Sequence, residues 1–303
     1  MRKCVLSAAF LYAAAVVPTW CPVAMAEDEP ADRVTFMSLD GSTRLVGYLF
    51  APAGKRTGPA PAVVMMHGRS GAYSWSDAAR GRYDASTLSE RHRMWGRLWA
   101  ARGYVALLVD GFGPRGYPHG FPRLSYDQRP EELNEITVRP FDAYGGLVYL
   151  RTRRDVMADR VGLQGWSNGG SATLATMAEV AADTPGAAMR GPITGFRAAL
   201  AFYPACALKG MFEEGGYRPY APVRVLQGDA DEEVSPKRCA RLVQKSRAEG
   251  GDIDIKLYPG ATHDFDDPGP AHQRIDANVA AREDAIVRAQ AFFAQQVEGR
   301  EAK

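Results

Sequence analysis

Val161-Gly162-Leu163-Gln164-Gly165-Trp166-Ser167-Asn168-Gly169-Gly170-Ser171-Ala172 is the stretch on which the reading of this chain turns. Val161–Gly165 is a short apolar run of the kind that forms a buried strand, and Ser171–Ala181 repeats apolar residues at helical spacing. Between them lies Gly165-Trp166-Ser167-Asn168-Gly169, a G-x-S-x-G pattern. A serine on a sharp strand-to-helix turn stands clear of the sheet, and glycine on either side leaves room for the turn. The helix that follows aims free backbone N–H groups at negative charge forming beside the serine. Five residues of common types are a weak signal alone, because an ordinary helix start capped by Ser167 or Asn168 reads the same. The strand before and the helix after are the context that the elbow reading requires.

Working outward, similar apolar runs stand at Val34–Met37, Leu45–Phe50, Ala62–Met66, Tyr104–Val109, Ala198–Tyr203, Val223–Leu226 and Ile253–Tyr258. Helical spacing recurs at Leu88–Ala101, Phe141–Arg151, Lys237–Glu249 and Ala277–Gln295. Continuous apolar strands alternating with helices predict one α/β domain over residues 27–303, with about eight strands in a mostly parallel sheet and helices on both faces. The first two strands, joined around Asp40-Gly41, read as an antiparallel hairpin at one edge. Residues 68–87 and 111–136 are long, rich in Gly, Pro, Arg and aromatics, and follow strand ends. Loops of that length are usually functional, and such sheets bind ligands outside the carboxyl ends of their strands. Both loops are expected to line that crevice.

Residues 1–26 read as a secretory signal peptide. Arg2 and Lys3 precede the apolar run Val5–Val17, and Ala24-Met25-Ala26 comes before the acidic Glu27, Asp28 and Glu29. The run is shorter than the ~20 residues of a spanning helix, and Trp20 ahead of Cys21 does not suit a lipoprotein signal. The chain is expected to be exported, periplasmic or secreted, and free of the membrane once cleaved. With 37 Lys+Arg against 35 Asp+Glu and no block of like charge, no field is available to attract nucleic acid or an anionic membrane. A chain 46% apolar and 24% charged is neither collagen-like, coiled-coil nor wholly disordered. Cleavage leaves two cysteines, Cys206 and Cys239, as either one disulfide in an oxidising compartment or two buried thiols. No Cys/His ligand spacing and no glycine-spaced calcium loop occurs, so neither metal nor cofactor is expected.

Three further segments agree with the elbow. Ala62–Met66 runs into His67-Gly68-Arg69-Ser70-Gly71, and in elbow hydrolases the loop after this strand supplies one N–H to the oxyanion while the residue after the nucleophile supplies the other. Those are the amides of Arg69 and Asn168. His67 precedes the serine in chain order and reads as a structural histidine tied to its loop. After Val223–Leu226, the turn Gly228-Asp229-Ala230-Asp231-Glu232-Glu233-Val234-Ser235-Pro236 fits a G-x-x-D-x-x-V-x-P pattern on Asp231. The other acids, Asp229, Glu232 and Glu233 here and Asp264, Asp266 and Asp267 after the last strand, then read as solvated loop. After Tyr258 comes His263, crowded by Asp264, Asp266 and Asp267. Ser167, Asp231 and His263 follow the order nucleophile, acid, base. In that scheme His263 takes and returns the Ser167 proton, and Asp231 holds its tautomer.

With these motifs in place, the chain resembles the α/β-hydrolase superfamily and, more narrowly, the dienelactone hydrolase family, over nearly all of residues 33–297. The segments that carry the likeness are His67–Gly71, Val109-Asp110-Gly111-Phe112-Gly113-Pro114-Arg115-Gly116, Gly165–Gly169 and Tyr258-Pro259-Gly260-Ala261-Thr262-His263-Asp264-Phe265. Typical members carry a cysteine nucleophile and a glutamate after the third strand, where this chain has Ser167 and the HG-x-x-G turn. The resemblance therefore implies a broader hydrolase of carboxylic esters or lactones acting through an acyl-enzyme. Exported relatives pair a cysteine after the sixth strand with one in the helix following the acid, and Cys206 and Cys239 stand there. Members use arginines near the pocket to hold a substrate carboxylate, a task that Arg115 could perform as readily as a loop arginine's structural one. Tyr73, Trp75, Phe112, Tyr117, Trp166 and Tyr203 are candidates for an aromatic substrate wall or for packing of the loops themselves. Two other readings compete: a serine peptidase of the prolyl oligopeptidase type, for whose gating domain the short stretch before the second strand leaves no room, and a non-catalytic binding protein on the same scaffold.

Overall fold

Alternate residues of the apolar runs face opposite sides of one sheet, which is why the runs contain so little polar side chain. In a computed structural model of the chain, described over residues 31–54, 58–184, 186–191, 193–212 and 216–299, all eight expected strands form. They are β1 (Asp32–Met37), β2 (Arg44–Phe50), β3 (Ala60–Met66), β4 (Val105–Asp110), β5 (Val156–Trp166), β6 (Ala199–Phe202), β7 (Val223–Gly228) and β8 (Ile253–Tyr258). Their order across the sheet is β1-β2-β4-β3-β5-β6-β7-β8. β1 pairs antiparallel with β2, β2 pairs antiparallel with β4, and every later pairing is parallel. This is the α/β-hydrolase arrangement. The signal-peptide reading falls in residues 1–26, outside the described residues.

Ala62, Val64 and Met66 of β3 join Val105, Leu107 and Val109 of β4 in one core layer, while Val63 and Met65 join Ala106 and Leu108 in the other. The first layer is covered by α3 (Arg139–Thr152), α4 (Asn168–Met177) and α5 (Pro236–Ala248). The second is covered by α2 (Glu90–Ala101) and α7 (Asp276–Gln296), where Trp95, Trp99 and Phe293 are fully buried. Two single-turn helices, α1 (Trp75–Ala78) and α6 (Pro270–Gln273), lie in connections. Among the described residues no helix is long and apolar enough to cross a membrane. α4 ends four residues before the spacing suggests, because Ala178 leaves the helix to bridge to Pro219.

Cys206 and Cys239 form a disulfide, with Cα atoms 5.0 Å apart, that ties the segment after β6 to α5. Closing a loop with a sequence separation of 33 contributes about 3–4 kcal/mol on the chain-entropy account.

Candidate active site

β5 ends at Trp166, and Ser167 turns the chain with φ 52° and ψ −116° before α4 begins at Asn168. That conformation is costly for a residue with a side chain and persists only where its surroundings enforce it. The flanking glycines make the close packing possible. A side-chain carbon on Gly165 would run into the carbonyl of Gly169, and one on Gly169 into the carbonyl of Met66 in β3. The elbow is also held from the far side, where Ser167 N donates to Phe202 O at 2.9 Å.

Strand ends β5, β7 and β8 bring the three distant residues together. Ser167 Oγ lies 2.9 Å from His263 Nε2, and His263 Nδ1 lies 2.8 Å from Asp231 Oδ2. Asp231 Oδ2 also accepts from Gln227 Nε2, and its Oδ1 accepts from the amides of Glu233 and Val234. Every lone pair of this buried carboxylate is therefore directed. Burial works against a charged imidazole at His263, but the Asp231 hydrogen bond and the charges of Asp264, Asp231 and Glu233 outweigh it and raise its pKa above the ordinary 6.5.

Opposite the histidine, the amides of Arg69 and Asn168 donate to no acceptor among the described residues. Gly68 brings the β3 loop so close that a Cβ there would lie 3.4 Å from Ser167 Cβ. His67 is fully buried; its Nδ1 bonds Gly68 O and its Nε2 accepts from Gly111 N, which fixes a neutral ring holding two loops together.

Asp229 and Glu232 are exposed, as a solvated loop requires, but the other acids around the triad are engaged inside the fold, contrary to expectation. Glu232 accepts from His263 N, and Glu233 pairs with the Arg69 guanidinium through two hydrogen bonds. Asp266 is wholly buried and accepts from Trp95 Nε1, Trp166 Nε1 and Tyr203 Oη. Arg91 pairs with Asp264 and Asp267, each at 2.8 Å. Burial alone would raise the Asp264 pKa, but Arg91 and His263 beside it hold that carboxyl well below its usual range. The His263 loop thus stands on a buried ionic and hydrogen-bonded base, and the Tyr203 ring packs 4.7 Å from the imidazole.

Backbone strain concentrates here. Among the described residues, the non-glycine residues with left-handed φ are Leu124, Ser167, Tyr203, Leu208, Lys209 and Asp264. Four of them line one cavity of about 590 Å³ over Ser167, and the other two flank His263. Such clustering marks a functional site more often than a purely structural one.

The cavity is walled by residues 123–129 with Glu135, by Ala205–Lys209, and by Glu233–Arg238. The loop 68–87 contributes only Arg69; its Ala72, Tyr73, Ala78 and Thr87 are buried in the fold, while Trp75 and residues 79–82 face outward. None of the five side chains expected to bind substrate, nor Trp75 or Tyr117, lines it. Arg115 is saturated by Asp142, Asp40 and the carbonyl of Gly111. Tyr73 donates to Asp110, Phe112 packs against His67, and Trp166 and Tyr203 point away to Asp266. These aromatics are loop and core packing. Arg129, Lys209 and Arg238 line the cavity instead, with no ion pair among the described residues. No local pattern singles them out, since isolated basic residues in loops usually face water.

The profile of the Dienelactone hydrolase family matches residues 45–297. A dienelactone hydrolase-like promiscuous phosphotriesterase from metagenomic libraries has a similar structure, with TM-score 0.63 and 19% identity, covering 88% of this chain and 98% of that one. The apo form of Thermogutta terrifontis esterase 2 is similar too, with TM-score 0.62 and 15% identity over 90% of this chain and 97% of that one. The same esterase phosphorylated by paraoxon aligns with TM-score 0.62 and 15% identity, covering 90% and 96% of the two chains. At such identities the structures speak for the fold, and the profile match for kinship. Over the span that contains the elbow, the acid turn and the histidine loop, the chain belongs to the dienelactone hydrolase family.

Proposed function

We propose that the chain is an exported serine hydrolase that cleaves carboxylic esters or lactones through a Ser167–His263–Asp231 triad and an acyl-enzyme. The observation that carries the reading is the unbroken run of hydrogen bonds from Ser167 Oγ to Asp231, facing a cavity into which two unpaired amides open. In this mechanism His263 Nε2 accepts the Ser167 proton as Oγ bonds to the carbonyl carbon. The carbonyl oxygen takes the electron pair and is held by the N–H groups of Arg69 and Asn168 and by the start of α4. The imidazolium, its Nδ1–H fixed on Asp231, then gives its proton to the departing alkoxide. Water repeats the sequence and frees the acid. Neither a cofactor nor a metal takes part.

The cavity suits esters that carry a negative group. The carboxylate-holding role expected of Arg115 passes to Arg129 and Lys209, whose charges lie 5.1 and 5.3 Å from the Tyr126 ring. The disulfide agrees with export.

The test is intact mass after exposure to a fluorophosphonate, on wild type and Ser167→Ala in parallel. One adduct on wild type and none on the variant is the expected result. A folded wild type that takes no adduct would sink the nucleophile assignment and leave the non-catalytic reading. The unlabelled mass of secreted material reports whether the chain starts at Glu27.

A further inference from the structure

Arg139, the first residue of α3, is fully buried. Its Nη1 donates to Asn168 Oδ1 at 2.5 Å, while Nε and Nη2 have no partner among the described residues. Its guanidinium lies 5.0 Å from the centre of the Phe112 ring. The carboxylates around it are already engaged: Asp142 by both terminal nitrogens of Arg115, Asp110 by Tyr73 Oη and two amides, and Glu135 by Tyr126 Oη. Burial pushes its pKa down and Asp142 and Glu135 support it, leaving it at about 10, so the group stays charged at neutral pH.

A buried cation without a close counter-ion is costly to fold around. A tie between α3 and the elbow needs no such charge, since a neutral amide or hydroxyl could hold Asn168 Oδ1 equally well. The charge calls for its own account, and its position supplies one. Asn168 is the residue whose backbone N–H opens into the cavity beside Ser167, and Arg139 stands directly behind it.

We infer that Arg139 is a positioning residue for the oxyanion pocket: its bond to Oδ1 holds the Asn168 amide toward the cavity, and its unpaired charge backs the place where negative charge collects on the substrate oxygen. The inference rests on the reading of Ser167 as nucleophile. In the dry interior, a fixed charge of this kind acts on the transition state without reorganising, and acts little on the neutral ground state. Its removal should therefore lower kcat rather than raise KM.

The experiment compares wild type, Arg139→Met, Arg139→Lys and Asn168→Ala in hydrolysis of p-nitrophenyl acetate and in the rate of fluorophosphonate labelling, with folding checked by near-UV circular dichroism. Loss of a whole oxyanion donor costs about 10²–10³ in kcat, and removing the support of one should cost Arg139→Met about 10–100-fold, with KM within about twofold. Arg139→Lys should regain most of that loss because it restores the charge, and labelling should slow in step with kcat. Should Arg139→Met fail to fold, Asn168→Ala carries the test, for it keeps the backbone N–H and removes only the acceptor. It should lose about tenfold or more in kcat. A folded Arg139→Met, or Asn168→Ala, with kcat within about twofold of wild type overturns the inference. So does a loss that lies wholly in KM. If Ser167→Ala hydrolyses ester at the wild-type rate, the nucleophile reading itself fails.

Discussion

Replacing Asp231 by asparagine changes one oxygen to an amino group and leaves the outline of the site intact. Its consequence can be worked from the four hydrogen bonds the carboxylate accepts. Oδ1 can still serve the amides of Glu233 and Val234 as the amide oxygen of asparagine. The new NH₂ then faces His263 Nδ1 and Gln227 Nε2, both of which donate in the wild type. Nδ1 must give up its proton to accept from asparagine, so the ring carries its proton on Nε2, against Ser167 Oγ. In that tautomer the histidine has no lone pair with which to take the serine proton. In serine proteases the equivalent change costs about 10⁴ in kcat, or about 5.5 kcal/mol of barrier. The assay is steady-state hydrolysis of p-nitrophenyl acetate, with near-UV circular dichroism to show that the fold persists. A loss of that order with KM little changed is the expected result. Asp231→Asn within about tenfold of wild type, with Glu232→Gln or Glu233→Gln abolishing turnover, would refute the acid assignment and the tautomer argument together.

Three other outcomes follow from the geometry. Because the His263 pKa is raised, the acidic limb of kcat/KM against pH should lie above 6.5, the activity falling as the ring is protonated. The sign for stability is opposite: the contribution of this histidine is fully present below its unfolded value and fades as pH rises through the folded one, which urea unfolding across pH can follow. Arg129→Gln should lower kcat/KM for esters of dicarboxylic acids by about tenfold while sparing neutral esters of equal length; equal losses on both would remove the anion-binding reading. The Cys206→Ala, Cys239→Ala pair should lower Tm by about 6–12 °C, since a loss of about 3–4 kcal/mol spreads over a domain of this size. Because Cys206 also lines the cavity, ester hydrolysis by the pair should lose activity at temperatures below its global unfolding; parallel loss of both would show the bridge matters only to the whole fold.

The legible parts of this protein share a physical cause. β-strands buried on both faces are apolar at nearly every position, so Ala62–Met66 of β3 and Val105–Val109 of β4 stand out as runs of Val, Leu, Met and Ala. The elbow is legible because part of its steric demand acts between neighbours in sequence, as the contact of Gly165 with Gly169 makes plain, although Gly169 itself answers to Met66 of β3. Asp231 and His263 are legible because their turns follow strand ends in a fixed order. What misled the reading was polarity. Asp264, Asp266 and Asp267 look like a solvated run, yet Asp266 lies at the centre of a cage of two indoles and a phenol whose members are separated from it by 63 to 171 residues. Arg115 looks like a pocket arginine, yet Asp40 and Asp142 reach it from other elements.

The sequence by itself determined the strand and helix alternation, the elbow, the order of the three residues at its site and, through the family likeness, the cysteine pair. Apart from the cysteine pair, each of these rests on short-range sterics, on burial that repeats along one element or on the order of strand-end turns. Only the tertiary structure decided which charges are free. An arginine is spent or available according to which carboxylates the fold brings to it, and those lie dozens of residues away. Arg115 is therefore consumed in an ion pair, Arg129 is left facing the cavity, and Arg139 is sealed unpaired behind Asn168. Charge compensation is a property of packed neighbours, and for that reason the chain's order of residues could not reveal it.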